Sequence, residues 1–179
     1  MTTNRKLIKS GNWGENVAWE LYETDTLPQK ELCTAVMCVA ISVDGKIVLT
    51  RTPRGWGMLG GHIEEGESPE DTLHREAYEE GGFIIDQCKL FAIRKITAKT
   101  RAPHPQPGKE YPFPTSYMTY YWATTKQPLV PPTGDEVLES ARFGIDEVVA
   151  LDIPDQTEIE IAYETFENHI LFSNEAAIS

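Results

Sequence analysis

Cysteine, positive charge and long apolar runs are all scarce in this chain, and each scarcity closes off a class of protein. Three cysteines, Cys33, Cys38 and Cys88, among 179 residues form neither a disulfide framework nor a CxxC zinc pattern, so they read as reduced thiols in strand-like surroundings. Lys and Arg number 16 against 28 Asp and Glu, a formal charge of -12 with a pI near 4.7. A surface of that sign argues against RNA or DNA as general partners, but it admits a small nucleotide brought with a divalent cation. The longest apolar run, Ala35 to Val43, is far too short to span a bilayer, and the opening MTTNRKLIKSGNWGEN is polar with no secretory core. The expectation is a soluble cytoplasmic protein with no membrane partner. His62, His74, His104 and His169 show no paired ligand spacing, so none is assigned to a metal.

What the chain does hold is a dense acidic segment, GHIEEGESPEDTLHREAYEEGGF, from Gly61 to Phe83. Ser68 is a good N-cap, Pro69 suits the first helical position, and Asp71 completes a capping-box-like pattern. Gly81 and Gly82 supply the left-handed residue that stops a helix. Between these signals Leu73, Ala77 and Tyr78 form the inward stripe, and Glu76, Glu79 and Glu80 crowd a neighbouring face at spacings of three and four residues. Like charges so placed repel by a few tenths of a kcal/mol per pair, roughly, and at a helix C-terminus they also oppose the macrodipole. A cation is the missing partner.

Gly61, Glu67, Arg75, Glu76, Glu79, Glu80 and Gly82, with the residues between them and Phe83 after, fill every fixed position of the Nudix box, so the chain resembles that family over these 23 residues and loosely elsewhere. The resemblance implies an α/β/α sandwich around a mixed sheet. It also implies hydrolysis of a nucleoside diphosphate linked to another group, with a nucleoside triphosphate, oxidised or not, or a nucleotide sugar as the leading substrate. By similarity, Glu76, Glu79 and Glu80 bind the metal, the Gly60 carbonyl adds an oxygen, and Arg75 pairs with a glutamate to orient it. Oxygen-only ligands favour Mg2+ or Mn2+. The general base comes from the box, Glu76 or Glu80, and Glu136 or Glu139 adds an outer metal contact. Leu59 stands where many relatives carry proline. A nucleotide-sensing domain without turnover is the alternative, against which the intact acidic triad weighs; an isoprenoid diphosphate isomerase lacks its cysteine and histidine constellation here.

The rest of the chain reads as one domain over 1–179, an α+β layered fold with an N-terminal strand extension over about 1–30. Strands are expected at Asn16–Thr24, Thr34–Ser42 and Lys46–Arg51, with Asp44 and Gly45 as a hairpin turn. RGWGMLGG is read as a glycine-rich loop into the helix. Further strands follow at Phe83–Ile96, Ser116–Thr124 and Glu139–Phe143, and a short helix at Ile145–Leu151. A final helix over about 155–172 carries Ile159, Tyr163, Phe166 and Ile170 as its core stripe. The proline-rich stretches RAPHPQPGKEYPFP and QPLVPPTGDE are loops.

Specificity is expected outside the box. Arg51 and Arg54 are placed to receive phosphate oxygens, and Trp56, Tyr111 and Phe113 to stack on a base or line a pocket. Glu67 braces the loop against the helix. YPFPTS resembles part of the signature of NADH-hydrolysing relatives, but it is incomplete and lies farther downstream, so NADH is not the favoured substrate. Trp13 and Trp19 on the N-terminal strand cover either a second subunit, giving a homodimer, or their own core.

Overall fold

A computed structural model describes residues 5–104, 110–125, 130–134, 136–151 and 153–178, with side chains through 170. Parts of both proline-rich stretches, 105–109 and 126–129 with 135, lie outside it, as do residues 1–4 of the N-terminal extension.

Among the described residues nine strands form one mixed sheet: β1 (Lys6–Trp13), β2 (Val17–Glu23), β3 (Cys33–Ile41), β4 (Ile47–Thr52), β5 (Gly55–Gly57), β6 (Leu59–His62), β7 (Ile85–Ala98), β8 (Thr115–Thr125) and β9 (Glu139–Phe143). The order is β1-β2-β7-β8-β3-β4-β5, with β6 also on β3 and β9 also on β4. Only β3 and β8 run parallel; the remaining pairs are antiparallel.

Strand β3 is apolar almost throughout because both of its faces are covered, and its side chains sort with a period of two. Val36, Cys38 and Ala40 join the cluster with Leu73 and Ala77 of α1 (Pro69–Glu79). Val39 joins the opposite cluster, which holds Val148 of α2 (Ile145–Ala150) and Ile159 and Ala162 of α3 (Gln156–Ile178). Tyr121 and Ala123 of β8 face α1, and Tyr120 and Trp122 face α3. The result is the sandwich of helices about a mixed sheet.

One edge of β3 is shared, and this positions the site. Ala40 and Ile41 pair with Val48 and Ile47 of β4, whereas Ala35 to Cys38 pair with His62 to Leu59 of β6. The glycine-rich segment expected as a loop is therefore two short strands, because β4 leaves β3 after two pairs and exposes backbone donors and acceptors that β6 fills.

Three other readings are corrected. A strand precedes the first expected one, since the polar segment Lys6–Trp13 pairs with β2 as an exposed outer strand. Tyr78 is 54% exposed, and Thr72, at helical spacing from Glu76, takes the inward place beside Leu73. Ile170 stands exposed at the end of its stripe, while Ala162 is buried and Ile161 packs on the core. Trp19 packs against this chain's own core, with Trp13 beside it at 6.3 Å between ring centroids.

Candidate active site

Helix α1 begins at a full capping box. The Ser68 hydroxyl accepts from the Asp71 N–H at 3.1 Å, and the Asp71 carboxylate accepts from the Ser68 N–H at 2.8 Å. With the first turn fixed, Arg75, Glu76 and Glu79 are carried to the side where the helix meets β6, and Glu80 follows as the C-cap.

Arg75 binds the group together. Its Nε donates to Glu67 Oε1 at 2.8 Å and its Nη2 to Glu67 Oε2 at 3.1 Å and to the His62 carbonyl at 3.2 Å. Its Nη1 donates to Glu76 Oε1 at 2.7 Å and to Glu79 Oε2 at 3.2 Å. A planar guanidinium can serve so many acceptors because its donors are fixed in one fork. Glu67 also accepts from the Thr72 hydroxyl at 2.6 Å and the Glu64 N–H at 3.0 Å, so it braces the loop against the helix.

These partners set the titration of the acids. Hydrogen bonds from Arg75, and then from Thr72 and the Glu64 N–H, hold the Glu67 carboxyl down at about 2. Burial pushes Glu76 up, against the pull of Arg75 and with repulsion from Glu79 and Glu67. Burial likewise raises Glu80, partly offset by the Gly60 N–H and reinforced by Glu76 and Glu136. Two acids raised by desolvation beside further carboxylates mark a place where negative charge outweighs its counter-charge.

The paired glycines meet the acids directly. The Gly60 N–H donates to Glu80 Oε2 at 2.9 Å, and a Cβ on Gly61 would overlap Glu76 Oε1. Only glycine lets the strand lie this close to the helix.

Three carboxylates, Glu67, Glu76 and Glu79, thus gather about one guanidinium, and a fourth, Glu80, is held beside them by the Gly60 N–H. Donor type and charge both fit a hard divalent cation. Among the described residues no three His, Cys, Asp or Glu side chains are drawn in around a single ion-sized point. Arg75 holds oxygens of Glu76 and Glu79, and the Gly60 N–H holds one of Glu80.

The other candidates fall into two neighbourhoods. Arg51 pairs with Glu139 at 2.7 Å and lies over Trp56, whose ring meets Phe143 at 5.0 Å. Arg54 pairs with Glu136 at 3.5 Å, and the charges of both are felt at Glu80, so this pair borders the acidic group. Phe113 belongs elsewhere, under Arg101 in the segment joining β7 to β8. From that same segment the Tyr111 hydroxyl meets His62 Nε2 at 2.9 Å, and the His104 ring lies tilted against Tyr111 with 4.5 Å between centroids.

Sequence reasoning missed what closes the far end of α1. The N–H groups of Thr133 and Gly134 each donate to the Glu79 carbonyl at 2.8 Å, and the Ser140 hydroxyl donates to the Glu80 carbonyl at 2.7 Å. The turn residues PPTG were a signal for a tight bend, but nothing in them names its target.

A model of the NUDIX domain family matches residues 31–165. Among curated proteins, a NAD-capped RNA hydrolase NudC of Pseudomonas syringae pv. tomato is 28% identical over 133 residues, covering 72% of this chain and 42% of the relative. Its counterpart in Pseudomonas syringae pv. syringae is 27% identical over the same shares. This chain therefore spans 42% of the length of these curated relatives. Among solved structures, the Bacillus subtilis pyrophosphohydrolase BsRppH aligns with a TM-score of 0.56 at 19% identity, covering 76% of this chain and 77% of that one. The NUDIX domain of Shewanella oneidensis NrtR, crystallised with ADP ribose, aligns with a TM-score of 0.56 at 18% identity, covering 78% and 90%. At these identities the structural likeness establishes the fold.

Proposed function

The chain belongs to the NUDIX domain family, and we propose that it hydrolyses a phosphoanhydride bond in a nucleoside diphosphate linked to a further group, using Mg2+ or Mn2+. The observation that carries the reading is the gathering of Glu67, Glu76 and Glu79 about Arg75, with Glu80 on the Gly60 N–H and Glu76 flush against Gly61. A nucleoside triphosphate, oxidised or not, or a nucleotide sugar is the leading substrate class.

A diphosphate resists attack because its oxygens are negative, so the site must supply positive charge and a placed water. Glu76, Glu79 and Glu80, with the Gly60 carbonyl, would hold the divalent ion, which supplies charge neutralisation and lowers the pKa of water when bound. Arg75 orients two of these glutamates, and Glu67 keeps Arg75 fixed and charged. Glu76 or Glu80, both raised by burial, would take the proton from the attacking water. Arg51 and Arg54 receive the phosphate oxygens, releasing Glu139 and Glu136; Glu136 then stands free to make an outer metal contact. Trp56 stacks on the base, and Phe113, from the separate segment joining β7 to β8, lines the substrate pocket.

A second reading has one specific support. The curated relatives are named as NAD-capped RNA hydrolases, and Tyr111 of the YPFPTS segment lies against His62, next to the glycine pair. A dinucleotide of the NAD type is the substrate on this reading, taken as a small molecule because the chain is strongly acidic. Cytoplasmic location fits the free thiols of Cys33, Cys38 and Cys88, and no described helix is long and apolar enough to cross a membrane. Assembly as a homodimer would use the exposed Trp13.

A panel of dNTPs, oxidised dNTPs, ADP-ribose, nucleotide sugars and NAD-type dinucleotides, with Mg2+ or Mn2+ and the products resolved, tests this. Pyrophosphate release marks a triphosphate substrate, and two monophosphates mark a linked diphosphate. Tight nucleotide binding with no product anywhere in the panel points instead to a sensing domain.

A further inference from the structure

The last turn of α1 has to present acidic side chains at the helix end where the macrodipole is already negative, and no basic residue lies in that turn to offset them. Its terminal carbonyls also lack partners within the helix. The segment leading into β9 supplies them. Thr133 and Gly134 donate two backbone N–H groups to the Glu79 carbonyl, each at 2.8 Å, and Val130 donates to the Gly82 carbonyl at 2.8 Å. Ser140, the second residue of β9, donates its hydroxyl to the Glu80 carbonyl at 2.7 Å.

The fit is close on the helix side as well. Gly82 has φ +68°, and a Cβ there would overlap the backbone carbonyl of Val130. A Cβ on Gly134 would sit 3.4 Å from the Glu79 carbonyl oxygen. The register of β9 is fixed independently, by pairing from Ile47↔Phe143 through Arg51↔Glu139. Ser140 is therefore delivered to Glu80 by the sheet and not by the helix.

Resting on the functional reading above, we infer that Ser140 is a positioning residue for the metal site. It sets the Glu80 peptide so that the side chain reaches the Gly60 N–H and, when loaded, the ion. Glu80 is then held at both ends: its carbonyl by Ser140 and its carboxylate by Gly60 at 2.9 Å. Because Ser140 lies beside Glu139, which pairs with Arg51 at 2.7 Å, the strand that fixes Glu80 also carries the counter-charge of a phosphate-receiving arginine. Removing the hydroxyl leaves the carbonyl without its donor and lets the last turn fray, since a side chain that supports a ligand typically governs about tenfold or more in metal affinity.

The test uses the full chain with Ser140→Ala and Ser140→Thr, measuring Mn2+ binding without substrate, kcat and KM at saturating metal, and thermal unfolding without metal. Expected for Ser140→Ala is Mn2+ affinity lower by about tenfold and kcat lower by a similar factor, with KM within about twofold and an unfolding midpoint close to the parent. Ser140→Thr, which keeps the hydroxyl, restores both. Parent-like Mn2+ affinity in Ser140→Ala overturns the role, and so does an equal loss in both variants, which would mark a packing defect. If the parent itself binds no Mn2+, the metal reading falls and this role falls with it.

Discussion

Gly61 lies so close to Glu76 that a Cβ on the strand residue would occupy the place of the helix residue's Oε1. Strand and helix are in contact through a backbone and a carboxylate, and no side chain stands between them. Gly61→Ala should drive the Glu76 carboxylate off its position while leaving the cores on both faces of the sheet intact. The expected result is kcat lower by about 100-fold with near-parent thermal unfolding, because a displacement of about 1 Å at a reacting centre costs that much. Parent-like kcat would show that Glu76 is not needed where it stands.

Arg75 holds three glutamates and one carbonyl in a single plane of donors. Lysine keeps the charge but cannot reach Glu67, Glu76, Glu79 and His62 together. Arg75→Lys should lower kcat by about tenfold, and Arg75→Ala should in addition cost about 1–3 kcal/mol in urea unfolding, since partly buried carboxylates lose their donor.

Acid should unlock the same brace. Glu67 titrates at about 2 in the folded chain, well below its ordinary value, so the unfolded chain binds the proton first as pH falls. Its contribution is fully present above the ordinary carboxylate pKa and is lost as pH drops from there toward 2. Comparing unfolding free energies of the parent and Glu67→Gln across that window checks it. The gap between them should be constant near neutral pH and close as the solution is acidified; a gap that widens on acidification contradicts the assignment.

On the other face of the sheet Arg94 and Glu158 form a buried ion pair, the Glu158 side chain only 2% exposed. Trp13, Trp19 and Tyr120 surround the guanidinium. Glu158→Ala leaves that charge without its partner and should cost about 3–5 kcal/mol in denaturant unfolding. The double change Arg94→Met with Glu158→Leu should recover most of the loss. A double variant no more stable than Glu158→Ala would show that the aromatic packing on the guanidinium, and not the ion pair, holds this face.

How much of this the sequence disclosed depended on whether the determining partner was local. The start of α1 was legible because Ser68, Pro69 and Asp71 act within one turn. The acidic triad was legible because its spacing is helical. The glycine segment was misread because its strand character comes from β3, which lies a hairpin away and reaches Gly60 and Gly61 only through pairing. Arg94 was overlooked although it occupies an inward place in β7, where a charge among apolar neighbours calls for a buried partner. That partner, Glu158, sits 64 residues later on α3 and leaves no mark near Arg94 in the chain. Ser140 was invisible for the same reason, being 60 residues from the carbonyl that it serves.

Synthesis order has a bearing on the parallel pairing of β3 with β8. The free edge of β3 is completed by residues more than eighty positions later, as the Thr119 hydroxyl reaching the Ala35 carbonyl illustrates at a separation of 84. A growing chain therefore emerges from the ribosome with box helix, glycine strand and β3 all made, yet with β3 open on one side. Closure waits for the tail half of the molecule, as contacts so distant along a polypeptide form slowly. A nascent chain halted before β8 should carry Glu67, Glu76, Glu79 and Glu80 and still bind no ion.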